Sequence, residues 1–310
     1  MNKVGKQVNF DAKKQISIFN NLSLLLFKSF IKEPKSIIFM IVVPIFFNIM
    51  FFFIMGGKYG QTPGTEKFAI LFAYTLLPCM TCLTLLAPAV VEWKNSVFLK
   101  RIDITGIRKS VFIAALWLVY LIAGIVSFII MMLFNIIFSE ILNAMSVEKA
   151  NTLIKLMGNI HWGYFLLSMV LITLTSIALA TMFGGIFSSS GSSQGMIMMV
   201  YFFSIFLSGI MLPPEIFETS KGMIIFTYFI PHKYGVFLFL YATRGWNNGG
   251  WDNPFNKHYE IKFDDTGKPT PGDFIGQDFT STWQPIIGAI LILAAIFTIT
   301  TFTFKWSAKK

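Results

Sequence analysis

The chain has 310 residues, of which 55% are hydrophobic, 16% aromatic and only 13% charged, with a mean hydropathy of +0.67. A soluble domain carries about 25% charge, so an ordinary water-soluble globule is excluded, and apolar runs of roughly 18 residues or more, repeated along the chain, place it in a lipid bilayer. The net charge of +10 and pI near 9.5 then read as basic cytoplasmic loops under the positive-inside rule; nucleic acid is not an expected partner.

The N-terminus is polar and lysine-rich through residues 1–35, so no cleavable signal peptide is expected and this stretch reads as cytoplasmic. Residues 17–33 form an amphipathic pattern. Phe19, Leu22, Leu26 and Phe30 fall on one side at helical spacing; Ser17, Asn21, Lys28 and Lys32 fall on the other. Pro34 breaks the pattern. The reading is an interface helix at the inner surface, either anchored by its lysines on anionic lipid or binding a partner.

Six spans follow, at 36–55, 68–91, 111–138, 164–187, 196–212 and 285–304. At about 1.5 Å per residue, all but the fifth cover roughly 30 Å; the fifth covers about 25 Å. Two shorter apolar runs, 222–230 and 235–241, flank Pro231-His232-Lys233-Tyr234. The pair reads as a re-entrant hairpin; the rival is a single kinked span, which would make seven and put the C-terminus outside.

Charge counting favours six. With the N-terminus inside, the inner segments hold 15 Lys and Arg against four acids, and the outer segments hold 10 against 11. Both termini are then cytoplasmic. The fold class is an all-α integral membrane protein: six transmembrane helices, an N-terminal amphipathic helix and a re-entrant outer hairpin. The outer segment 213–284 ends in an acidic, tryptophan-containing loop, 242–284, whose run KFDDTGKPTPGDF has hairpin turn residues. It is either a solvated loop or a gate.

The chemistry the chain lacks is also informative. As drawn, the spans contain no Asp, Glu, Lys, Arg or His, which argues against a self-contained proton- or sodium-coupled carrier. Cys79 and Cys82 make a CxxC, but it lies in an apolar run without a second pair and reads as two small buried side chains. No HExxH, GxSxG or phosphate loop is present; GGKYG and TGKPT lack the GxxxxGK[ST] spacing. No catalytic, metal-binding or cofactor-binding residues are therefore expected on this chain, and any energy for vectorial work would come from another subunit.

Between spans two and three, the turn 92–110 reads EWKNSVFLKRIDITGIRKS. It is basic, inside, and broken by Thr105-Gly106. Here the chain resembles the permease subunits of ABC type-2 transporters, the export-type permeases. The resemblance rests on FKSFIKEPKSIIFMIVVPIFFNIMFF, on FLKRIDITGIRKS, on FGGIFSSSGSSQGMIMMVYFFSIFLSGIMLPPEIFE and on YFIPHKYGVFLF, in that order. Two positions depart from the family pattern: Lys94 stands where a second acid is usual after Glu92, and Gly106 where proline is usual.

The resemblance implies a permease domain over 36–310 and a separate ABC ATPase subunit that carries Mg-ATP, with none on this chain. It implies a second copy or a sister permease as partner. Glu92, Leu99, Lys100, Arg101, Asp103, Thr105, Gly106 and Arg108 would couple to the ATPase, next to the interface helix with Phe19, Leu22, Lys28 and Lys32. Ser208, Gly209, Pro213, Pro214 and Pro231 would form the outer gate. The function implied is outward movement of an amphipathic or hydrophobic cargo by alternating access. An apolar, Phe- and Met-rich lining suits such a cargo, and the Phe, Ile, Asn and Lys excess suggests a low-G+C bacterium and its inner membrane. The alternatives are a stand-alone carrier or channel, and a membrane assembly or sensor protein.

Overall fold

A computed structural model describes residues 12–59, 68–104, 107, 109–146, 151–212, 217, 221–245, 258–263, 269–276 and 278–303. Helix α1 spans Ala12–Lys32. Helices α2 (Pro34–Ile37) and α3 (Val43–Tyr59) are joined by a π-helical turn, Ile38–Val42, into the first span. The second span is α4 (Ile70–Tyr74) and α5 (Leu77–Asn95), and a short α6 (Val97–Ile104) follows it. Helix α7 runs Lys109–Met145, α8 is Leu153–Leu156, α9 is Trp162–Ile186 and α10 is Ser190–Leu207. The bent pair is α11 (Lys221–Thr227) and α12 (Pro231–Leu240), and α13 (Trp283–Thr303) is the last span. Strands β1 (His258–Phe263) and β2 (Pro269–Gly276) pair antiparallel within the loop before α13, where the turn residues predict a hairpin.

Among the described residues, six helices are long and apolar enough to cross a membrane. Helix α5 is the central one. It packs on α9, α10 and α7, and its apolar residues from Leu77 to Val91 are almost all buried. The outer faces of α3, α10 and α13 expose Phe46, Phe53, Phe202, Phe203, Leu291 and Phe297. In water such a surface would drive association; in a bilayer it meets lipid tails or another apolar helix. Helix α7 has 37 residues, a length of about 55 Å, and outruns the hydrocarbon layer.

Helix breaks follow from the sequence. Pro78 lacks the N–H that would bond the Tyr74 carbonyl, so the second span splits into α4 and α5. Asn135 on α7 covers the split: its amide donates to the Leu71 carbonyl at 3.1 Å and accepts from the Asn48 amide at 2.5 Å. Buried hydroxyls such as Thr81, Thr84, Thr173 and Thr175 donate back to their own helix, as polar groups in a bilayer must find an internal acceptor.

Two ends can be distinguished. At one, α5 ends, α6 lies, α9 ends and α10 begins. At the other, α9 and α13 begin side by side, with Tyr164 and Thr282 hydroxyls 3.3 Å apart. Helix α12 runs antiparallel to α9: Gly235 abuts Ile172, the Phe239 and Phe165 rings are 4.9 Å apart, and the Ala242 carbonyl accepts from His161 N–H at 3.0 Å. The pair α11–α12 bends by 106°. Helix α12 ends where α13 begins, and the sharp bend keeps α11 and α12 from forming one straight span, as expected of a re-entrant pair. Its tip reaches the level of Ser176, roughly 20 Å along α9.

Candidate functional site

Two clusters of polar groups stand out against the apolar bundle. The first surrounds the elbow between α5 and α6. The sequence reading ends the second span at Val91 because charged residues follow, but the helix continues to Asn95. The chain then turns extended at Ser96, whose hydroxyl accepts from Phe98 N–H at 3.1 Å and so caps α6. Trp93 packs between Phe98 and Phe112, tying the elbow to the start of α7.

Of the coupling residues expected from sequence, Leu99 is fully buried and, with half-buried Phe98 and buried Ile102, seats α6 on the core. Arg101 is exposed, as are Val97 and Ile104, the last at 86%. Helix α6 therefore presents an exposed face with both apolar and cationic groups. Lys100 and Asp103 lie on α6; Thr105, Gly106 and Arg108 lie outside the described residues. Glu92 is exposed and accepts from the Ser190 hydroxyl at 3.4 Å. A cavity of about 390 Å³ opens beside it, with Phe39, Leu85, Pro88 and Ala89 as apolar walls and Glu33 and Glu92 at its polar edge.

Helix α1 leans on the first turns of α7. Leu22 and Leu26 are buried, Phe19 and Phe30 pack against the core, and the Phe30 and Tyr120 rings sit 5.3 Å apart. Lys28 and Lys32 are exposed on the opposite side. A third stripe, Ile16, Leu24, Phe27 and Ile31, is apolar and exposed. The helix thus has a core face, a face suited to lipid and a basic face, one more than the two-sided pattern read from sequence.

The second cluster is the re-entrant tip. Helix α10 stops at Leu207 because Gly209 takes φ 105°, a left-handed turn that Ser208 leads into and that Met211 N–H closes onto the Ile205 carbonyl. Pro213 and Pro214 lie outside the described residues. Pro231 opens α12 at its first turn. His232 is buried, with Nδ1 2.9 Å from Ser204 Oγ and Nε2 2.9 Å from Ser176 Oγ, so one ring joins α9, α10 and α12. Lys233, 2% exposed, pairs with Asp278 just before α13 and donates to Thr227 Oγ1 at 2.5 Å. Its ammonium lies 4.2 Å from the Tyr228 ring centre and 5.5 Å from those of Phe237 and Phe279. Burial pushes the Asp278 carboxyl above its usual range, while Lys233 and Tyr228 draw it back.

Sequence reasoning did not single out Lys94, Asn135, His232, Lys233 or Asp278 as partners of anything. A signal existed for Asn135: an amide inside an apolar run, like that of its partner Asn48, is costly unless paired. Among the described residues no group of His, Cys, Asp and Glu is placed to hold a metal ion.

A six-span bundle with a bent helix pair and a short exposed helix defines a multi-pass membrane protein. The profile of the ABC-2 family transporter proteins matches residues 57–304, and the chain belongs to that family. It is thus the membrane component of an ABC transporter and not its ATPase; such permeases work with an ATPase subunit. The match begins near the end of α3, so α1 and most of the first span lie outside it. Comparison with curated proteins gives no match.

Proposed function

We propose that this chain is the permease subunit of an ATP-driven exporter that moves an amphipathic or hydrophobic cargo outward. ATP with Mg²⁺ is bound and hydrolysed on a separate subunit, and the permease acts as a pair, with a second copy or a sister chain. The end bearing α6 faces the cytoplasm of a bacterium, as do both termini, and the re-entrant hairpin faces outward. The observation that carries this reading is α6 itself: Leu99 fixes it to the core while Arg101, Val97 and Ile104 stand outward and exposed. A basic, partly apolar face at the end of a central span suits docking into a cleft of a soluble subunit. Closure of two such subunits would tilt the spans by rigid-body motion. Helix α1, lying on the start of α7, would be pressed in the same stroke.

The cargo path runs between the two permeases. Its apolar composition suits a hydrophobic or amphipathic molecule, with Ser208, Gly209 and the hairpin behind Pro231 closing it from outside. The test is charge reversal at Lys100, Arg101 and Arg108 together, in the complex purified from its own membrane. Assembled spans with abolished transport-linked ATPase are expected. Normal transport by the variant would overturn the role given to this turn.

A further inference from the structure

Lys94 is 3% exposed at the cytoplasmic end of α5. Its ammonium donates to three main-chain carbonyls at once: Gly184 at 2.9 Å, Gly185 at 2.7 Å and Phe187 at 2.9 Å. These are orphan acceptors at the C-terminus of α9, where the helix carries its partial negative charge. A lysine offers three donors in a compact head, and here three acceptors meet it. Two further contacts join the same segments. Asn95 Nδ2 donates to the Ser188 carbonyl at 3.0 Å, and the Ser190 hydroxyl donates to Glu92 at 3.4 Å. Gly184 lies so close to Val90 and to the Ala87 carbonyl that an added Cβ would sit 2.7 Å and 3.0 Å from them.

We propose that Lys94 is a positioning residue that makes the α5–α6 elbow and the α9–α10 turn one mechanical body. Force applied to α6 then reaches the fourth and fifth spans directly, and through His232 on Ser176 and Ser204 it reaches the re-entrant tip. This inference rests on the ATP-driven reading above and adds to it the route by which the stroke crosses the bundle. Chemistry explains why a cation stands here. An acid in its place would face three carbonyl oxygens with no proton to share, and a neutral apolar side chain would leave the α9 carbonyls unsatisfied in a buried site.

The test uses the complex of the permease with its ATPase in nanodiscs, with nitroxide pairs and ATP plus vanadate as the probe. Cys79 and Cys82 are fully buried, so introduced cysteines label selectively. Three exposed positions serve: Val97→Cys on α6, Ser189→Cys in the α9–α10 turn and Ile141→Cys at the far end of α7. In the otherwise unaltered chain, the 97–141 and 189–141 distances are expected to shift with nucleotide while the 97–189 distance stays fixed. A 97–189 shift as large as the 97–141 shift overturns the proposal, and this needs no change at Lys94.

In Lys94→Met the 97–141 shift is expected to persist and the 189–141 shift to disappear; Lys94→Arg restores it. An intact 189–141 shift in Lys94→Met also overturns the proposal. A 97–141 distance that ignores nucleotide in the unaltered chain instead refutes the ATP-driven reading, and this inference falls with it.

Discussion

Removing the carboxylate of Asp278 is the sharpest perturbation of the re-entrant tip. Asp278→Ala removes the carboxylate that pairs with the Lys233 ammonium, which is 2% exposed, and leaves in place its contacts with the Thr227 hydroxyl and the rings of Tyr228, Phe237 and Phe279. Breaking a buried ion pair from one side costs about 3–5 kcal/mol. The rings hold back part of that loss, since a desolvated cation–π contact is worth about 2 kcal/mol, so the lower half of the range is expected. Lys233→Met costs a similar amount, because the Asp278 carboxylate is then buried without its cation.

Replacing both, Lys233→Met with Asp278→Ala, removes two desolvated charges together and is expected to cost less than about 2 kcal/mol. The double variant should therefore cost less than the sum of the single variants by at least about 4 kcal/mol. Unfolding by titration with sodium dodecyl sulfate in mixed micelles, followed by tryptophan fluorescence, measures all four proteins. Asp278→Ala losing under about 1 kcal/mol, or additive losses in the cycle, would refute the reasoning and place the pair in contact with water.

Gly184→Ala should destabilise by about 1–3 kcal/mol, because its Cβ meets a β-branched side chain and a main-chain carbonyl that have no room to yield. Gly195→Ala, with nothing within 4 Å of the added Cβ, should be neutral or stabilise α10 by up to about 1 kcal/mol; the same detergent titration compares them. Cys79 and Cys82, free and fully buried, should react with maleimide only after denaturation, as mass spectrometry would show; fast labelling of the folded chain would contradict the packing of α5.

Hydropathy alone carried much of the fold, because a bilayer imposes length and apolarity on each span. The turns it underrates are those where polar residues continue a helix. The fifth span is read as starting at 196, since SGSSQG is polar, yet α10 starts at Ser190 with Ser193 buried. The second span is read as stopping at Val91, yet α5 continues through Glu92 and Lys94. A burial such as that of Lys94 depends on three carbonyls some 90 residues away, and no local pattern encodes that meeting.

The re-entrant hairpin was legible as a Pro-broken pair of short apolar runs. Its depth was not, since it depends on Gly235 meeting Ile172 and on His232 meeting two serines from different helices. The coupling turn stands between these cases. Its charge and place are visible in FLKRIDITGIRKS, but the buried role of Leu99 and the outward face of Val97, Arg101 and Ile104 emerge only from the packing of α6.

The most direct measurement of the central claim is a mild-detergent pull-down of this chain from its native membrane, with ATPase activity assayed on the eluate. The account predicts that a subunit carrying a phosphate loop co-elutes and that its activity falls when Lys100, Arg101 and Arg108 are charge-reversed. A chain that elutes alone, with no ATPase following it, would contradict the account and make a passive or ion-driven pathway the leading explanation.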